Sequence, residues 1–282
     1  MTVSLVHNNY GKSRVRLLRV TRGENQHEIK DLTFWIQFEG DFEAVHTAGD
    51  NRKVLTTDTM KNTVYVLAKQ YPAEPIEDFS MHLIEHFLTY NPQVSKVRVV
   101  AAEKYWNRVP VGGGSHRSAF TGAGNERRMS EIEGGRGGYT IRAGIEDLIV
   151  LKTAKSAFEG FLRDPYTTLE DTRDRVLSTN LRAHWLYQGD EIPFSPTWHG
   201  VRQVLINTFA DHDSQSLQHT LYAMGEAVLK SFDAIREIQF SLPNQHYNLV
   251  DLKPFGLEND NEVFLPTDEP YGLIEATLKK GN

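Results

Sequence analysis

Apolar and polar residues alternate from Arg14 to Val20 and again from Leu32 to Phe42, the period of half-buried strands. Thr57-Asp58-Thr59 then supplies side chains suited to a helix N-cap, and Met60, Val64, Leu67 and Tyr71 follow as one helical stripe. Pro72 and Pro75 stop that helix. A second helix is predicted over Met81 to Tyr90, followed by a β-rich run from Val94 to Tyr105. The order then recurs. Tyr139 to Leu151 and Arg175 to Tyr187 predict strands, and Trp198 to Phe209 and Leu217 to Phe232 predict helices. In the second of these helices Leu217, Leu221, Met224, Val228 and Phe232 share one side. Ile235 to Leu242 and Val263 to Leu278 close the set as strands.

Each half is thus strand–strand–helix–helix–strand–strand, an internal duplication. Such a unit forms an antiparallel sheet with both helices on one face, an α+β layer. The halves, 1–134 and 135–282, meet in the glycine-dense stretch Glu131 to Gly138, which suits a linker or loop. Gly112 to Arg128 also has the composition of a loop. Neither glycine cluster sits between a strand and a helix as G-x-G-x-x-G, so no dinucleotide fingerprint is present.

Composition narrows the chemistry. The chain has 282 residues and no cysteine, which excludes disulfides, thiolate metal sites, cysteine-ligated clusters and a thiol nucleophile. Reaction chemistry falls to hydroxyl, imidazole, amine, carboxylate and amide groups. The net charge of -6 shows no basic footprint for nucleic acid. The strongest apolar run, Leu148 to Leu151, is far short of the ~20 residues of a membrane helix. The N-terminus has no apolar signal segment, and Leu278-Lys279-Lys280-Gly281-Asn282 is not a Ser-Lys-Leu-type peroxisomal ending. A cytoplasmic protein without a membrane partner is the expectation.

Four constellations stand out. His82-Leu83-Ile84-Glu85-His86 matches the H-x-x-E-H metallopeptidase pattern, with two imidazoles one turn apart. The helical wheel favours a solvated face, because His82, Glu85, His86 and Thr89 oppose an apolar arc of Met81, Leu83, Ile84, Phe87 and Leu88. Lys12 near the first strand's start and Thr57 at the first helix's mouth read singly as a solvated charge and a cap. Asn244-Gln245-His246 ends a late strand, where a histidine is more often structural than catalytic. Leu148 to Arg175, with Phe158, Phe161 and Tyr166, reads as a core-anchoring segment followed by a surface arginine.

Together these pieces resemble urate oxidase (uricase) over essentially the whole chain. Leu148-Ile149-Val150-Leu151-Lys152-Thr153-Ala154-Lys155-Ser156-Ala157-Phe158-Glu159-Gly160-Phe161, continuing through Tyr166-Thr167-Thr168-Leu169 to Arg175, is similar to the family signature. It departs only at Ala154, where threonine is usual. Tyr10-Gly11-Lys12, Thr57-Asp58 with Lys61-Asn62-Thr63, Gln218 at a helix start, and Pro243-Asn244-Gln245-His246-Tyr247 match further family motifs in order.

The resemblance implies two tandem tunnelling-fold modules (ββααββ) and oxidation of urate by O2 to 5-hydroxyisourate and hydrogen peroxide, with no metal or organic cofactor. By the same resemblance Lys12, Thr57 and His246 form a proton relay. Phe158 stacks on the purine, Arg175 and Gln218 grip its edges, and the backbone of Leu217, Thr57 and Asp58 donates hydrogen bonds. Asn244, with Thr57, holds the oxygen species or a water. It also implies a homotetramer with sites shared between subunits. Three alternatives remain open from the residues: a metal-dependent pterin or purine enzyme of the same fold using His82 and His86, a silent purine-binding oligomer, and a metallopeptidase.

Overall fold

The computed structural model describes residues 3–281. The chain divides into two compact units, 1–144 and 145–282. No helix among the described residues is long and apolar enough to cross a membrane.

In the first unit, strands β1 (Tyr10–Arg22), β2 (His27–Gly40), β3 (Val94–Val111) and β4 (Gly114–Gly135) pair antiparallel in chain order. Helices α1 (Glu43–Ala48), α2 (Thr57–Gln70) and α3 (Ile76–Tyr90) lie between β2 and β3 in the chain. The strand period works as predicted in β2, where Leu32, Phe34, Ile36 and Phe38 are buried at every second position. They face Ala101, Val99 and Val97 across the ladder and pack with Met60 and Val64 of α2 and Phe79, Leu83, Ile84 and Phe87 of α3. Each such side chain contributes about 1.5–3 kcal/mol on burial. The rings interlock edge to face, Phe34 with Phe79 at 5.4 Å and Phe38 with Phe87 at 5.0 Å.

Strand β5 (Gly138–Lys152) carries the chain across the boundary between units. The second unit holds β6 (Leu177–Tyr187), α4 (Phe194–Asp211), α5 (Leu217–Ser231), β7 (Ile235–Leu249) and β8 (Phe264–Lys279), with β6, β7 and β8 antiparallel neighbours. Its core sets Ala183, Trp185, Ile238 and Phe240 of the sheet with Trp198, Val201 and Leu205 of α4 and Leu221, Met224 and Val228 of α5.

The structure corrects four readings of the pattern. Gly112 to Arg128 is not a loop: β3 and β4 form one long hairpin whose turn is confined to Gly112-Gly113, both at positive φ. Polar and glycine residues sustain a ladder there because backbone hydrogen bonds, not an apolar face, hold it. Glu131 to Gly138 is likewise strand on either side of a turn at 136–137. Gly134 sits where a Cβ would come within 2.5 Å of the Ile84 side chain, so this glycine marks a close approach of α3. Helix α3 begins at Ile76 rather than Met81, Pro75 being its cap residue rather than a separator. Helix α1 was not anticipated. It buries no residue, so it leaves no stripe to read.

Candidate active site

In the first unit, Lys12 lies on β1 just before an irregularity in the β1–β2 ladder between Lys12 and Val15. Gly11 precedes it because a Cβ at that position would come within 1.8 Å of the Ile36 carbonyl oxygen. Tyr10 joins this strand to the start of α2: Leu55 N–H donates to its hydroxyl, which donates back to the Leu55 carbonyl, each at 3.1 Å. Burial raises the Tyr10 pKa, so the phenol keeps its proton for that bond.

The α2 cap is Thr56, not the Thr57–Thr59 set: Thr56 Oγ1 accepts from Thr59 N–H at 3.2 Å. Thr57 is the first helical residue, and its hydroxyl is not used in capping. Asp58 follows, its carboxylate accepting from Lys61 Nζ and from Asn62 Nδ2 at 3.0 Å. Lys61 chiefly, then Asn62 and the nearby Lys12 charge, hold Asp58 below the usual carboxylate range. Lys12, Thr57 and Asp58 thus gather where β1 meets α2.

In the second unit, a cleft of about 490 Å³ is lined by Phe158, Asp174, Arg175, Asn244, Gln245 and His246, among others. The segment before β6 is folded back on itself. Phe158 and Thr172 exchange backbone hydrogen bonds of 2.7 and 3.0 Å, and Arg175 N–H donates to the Ser156 carbonyl at 2.9 Å. The Arg175 guanidinium therefore lies 5.1 Å from the Phe158 ring centre, while Phe161 stacks on Phe158 at 5.0 Å with planes 12° apart. Arg175 is not a surface arginine. Burial lowers its pKa, its Nε is buried without a partner, and no carboxylate among the described residues pairs with it. Nor is the signature simply core-anchoring, since Leu148 is buried but Ile149 and Leu151 are exposed.

Asn244 and His246 lie within β7, not at its end, and the β7–β8 ladder changes register between them. Leu217 and Gln218 open α5 behind the Ser216 cap, whose hydroxyl accepts from His219 N–H at 3.1 Å. The N–H groups of this first turn have no intrahelical acceptors. Leu217 and Gln218 do not line the cleft. They connect to it through Ser214, whose carbonyl accepts from Ala157 N–H at 2.7 Å.

The H-x-x-E-H helix follows the wheel: Leu83, Ile84 and Phe87 are buried, while His82 stacks on Tyr71 at 4.9 Å and His86 meets Tyr90 at 4.7 Å. Among the described residues no group of three or more His, Asp or Glu side chains is gathered to hold a metal ion. A larger, more apolar cleft of about 600 Å³ in the first unit, with Leu17, Ile29, Trp106 and Phe120 in its walls, contains none of the predicted site residues. The chemistry therefore points to the smaller one.

Comparison with known proteins decides the family. The family model described as Uricase matches residues 8–133 and 141–275. The chain belongs to the uricase family. It is 46% identical over 278 residues to the uricase of Arthrobacter globiformis, spanning 99% of this chain and 90% of that protein. With the uricase of Oryctolagus cuniculus it shares 38% identity over 285 residues, 99% of this chain and 95% of the relative. The crystal structure of uricase from Arthrobacter globiformis superposes with a TM-score of 0.94, covering 99% of this chain and 96% of that one. Uricases are urate oxidases, so this member is an oxidoreductase of purine catabolism with the α+β tunnelling fold of its structural neighbours.

Sequence reasoning missed the residues that hold the site together, Tyr10, Ser214 and Thr220 among them. Tyr10 bonds to Leu55, 45 residues away, and Ser214 bonds to Lys155 and Ala157 in a distant segment of the chain. Only Tyr10 left a trace, as part of the Tyr-Gly-Lys motif.

Proposed function

We propose that the chain oxidises urate with O2 and water to 5-hydroxyisourate and hydrogen peroxide, without a metal or organic cofactor, using the residues of both units. The observation that carries this reading is Arg175, a half-buried cation with an unpartnered Nε, set beside the Phe158 ring in a cleft shared with Asn244 and His246. A planar, anionic, hydrogen-bonding ligand satisfies that combination. Arg175 presents a fork for a carbonyl and ring-nitrogen edge, and Phe158 stacks on the ring, worth roughly 1–3 kcal/mol. Gln218 and the Leu217 N–H grip a second edge from the start of α5, where unpaired donors favour negative charge.

On this reading Lys12, Thr57 and His246 carry protons. Urate is a monoanion near neutral pH, and losing a further proton makes it a stronger electron donor toward O2. The Thr57 hydroxyl both gives and accepts a proton, and lysine is the relay's terminal base. The backbone N–H groups of Thr57 and Asp58 donate to the substrate, and Asn244 with Thr57 holds O2 or water above the ring. Two electrons pass from urate to O2, which leaves as hydrogen peroxide, and water adds to the oxidised ring.

The duplication into modules 1–134 and 135–282 belongs to the same reading, supported by the two separate stretches that the family model matches. So does a homotetramer in which Lys12, Thr57 and Asp58 of one chain complete the site of a neighbour. Its support is the exposed apolar tip of the signature loop, with Leu162 at 94% and Tyr166 at 90% exposure. A cytoplasmic location carries over from the sequence reading.

The test is to mix pure protein with urate in air, following loss of urate absorbance and release of peroxide. Turnover unchanged by a chelator supports the reading. Bound urate without turnover would select a silent binder instead. In Lys12→Met, kcat should fall by about 10²–10⁴-fold with KM changed far less. A near-normal kcat would remove Lys12 from the relay.

A further inference from the structure

Three separate pieces of the second unit carry the groups assigned to urate: the segment around Phe158, the segment reaching Arg175, and the first turn of α5 with Leu217 and Gln218. All three are tied to one buried pair, Ser156 and Ser214, both fully excluded from solvent. Ser156 and Ser214 form a parallel bridge, in which Ser214 N–H donates to the Lys155 carbonyl at 3.0 Å and Ala157 N–H donates to the Ser214 carbonyl at 2.7 Å. The Ser156 carbonyl receives Arg175 N–H at 2.9 Å.

The Ser214 side chain continues this tie into the helix. Its hydroxyl donates to the carbonyl of the cap residue Ser216 at 2.9 Å and accepts from Thr220 Oγ1 at 2.8 Å. Thr220, also fully buried, has one hydroxyl proton, and that proton is committed to Ser214. At 3.1 Å from Thr220 Oγ1, His212 Nδ1 must therefore be the donor, which fixes the Nδ1–H form of the imidazole. His212 closes α4, its N–H bonding to the Thr208 carbonyl at 3.0 Å, and its own carbonyl receives Lys152 Nζ from the end of β5 at 2.6 Å. The charged or titratable neighbours of the ring are His219, 4.3 Å away between centroids, with Lys152 and Asp213.

We propose that His212, Thr220 and Ser214 are positioning residues for substrate, a directed hydrogen-bond chain that sets the spacing between the Phe158 stacking face and the donors of α5. The proposal rests on the assignment of Phe158, Leu217 and Gln218 to urate. None of the hydrogen bonds of this network runs to β7, where Asn244 and His246 stand. Loosening it therefore weakens the grip on the purine and leaves the oxygen chemistry in place, a rise in KM with little change in kcat.

The test uses two pairs of variants in the full-length protein. His212→Leu and Thr220→Val remove the donors. His212→Asn keeps a donor where Nδ1–H stands, and Thr220→Ser keeps the hydroxyl. The expected result is a KM for urate raised about tenfold in the first two, with kcat within about threefold of wild type and KM near wild type in the second two. Unchanged KM in His212→Leu overturns the proposal, as does equal impairment in His212→Asn and His212→Leu, which would show packing rather than hydrogen bonding. If Thr220→Val fails to fold, the half-exposed His212 pair decides alone. Phe158→Ala is measured in parallel. A raised KM there beside an unchanged one in His212→Leu overturns only this inference, whereas an unchanged KM in Phe158→Ala overturns the site assignment on which it rests.

Discussion

Single residues show how local chemistry and distant partners combine. Tyr10 belongs to a sequence motif, but its role depends on Leu55, whose N–H and carbonyl both bond to its hydroxyl. Tyr10→Phe leaves both groups without that partner beside the strand of Lys12 and two residues before Thr57. It should cost about 1–3 kcal/mol in urea unfolding and lower kcat. Unaltered stability and kcat would show the bond to be idle. Imidazoles give a pH effect at the same scale. Burial holds His86 below its ordinary value, and burial with His219 and Lys152 does the same for His212. Between each folded pKa and about 6.5, the unfolded chain binds protons that the folded chain does not. Stability is full above that window and falls as pH drops through it. Urea midpoints at about pH 7.5 and about pH 5.5 should differ less in His86→Leu than in wild type. An equal difference would exclude His86.

Between elements, a buried ion pair sets how α3 meets the sheet. Glu77 Oε2 accepts from Arg128 Nη2 of β4 at 2.7 Å, with the two side chains 0% and 1% exposed. Glu77→Leu takes a buried carboxylate away from the buried Arg128 guanidinium, so it should destabilise the chain by about 3–5 kcal/mol. Glu77→Leu with Arg128→Met should recover a large part of that loss, because the desolvation cost leaves with the second charge. A double variant no better than the single would mean that Arg128 is held mainly by other partners. The pair also explains a misreading: Arg128 closes the stretch whose composition suggested a loop, yet it lies in β4 with its side chain buried. Periodicity identified most strands and the helices α2, α4 and α5, since each has an apolar face to bury. It failed for α1, which buries nothing, and for the β3–β4 hairpin, whose outer part is exposed on both faces.

At the scale of the whole molecule, the two units carry complementary halves of the proposed site, Lys12, Thr57 and Asp58 in one and Phe158, Arg175, Leu217, Gln218, Asn244 and His246 in the other. If neighbouring chains complete each other's sites, two inactive variants can repair one another. Lys12→Met and Arg175→Ala, each nearly inactive alone, should regain activity when co-expressed, because some mixed assemblies join an intact first half to an intact second half. No recovery in a proven mixed oligomer would mean that each chain builds its own site. Light scattering gives the independent check, with a tetramer expected and an active monomer refuting the shared arrangement.

By itself the sequence determined the duplicated order of elements, the alternating cores, and a set of motifs specific enough to identify the uricase family, because these depend on residue type at short spacing. It also determined that no thiol takes part in the chemistry. Tertiary structure alone decided that Thr56, not Thr57, caps α2, that Arg175 is a half-buried cation beside an aromatic ring, and that Ser214, Thr220 and His212 join the segment of Phe158 to the first turn of α5. Those facts depend on which distant backbone groups meet, and a hydroxyl or a guanidinium carries no mark in the sequence of the partner that folding brings to it.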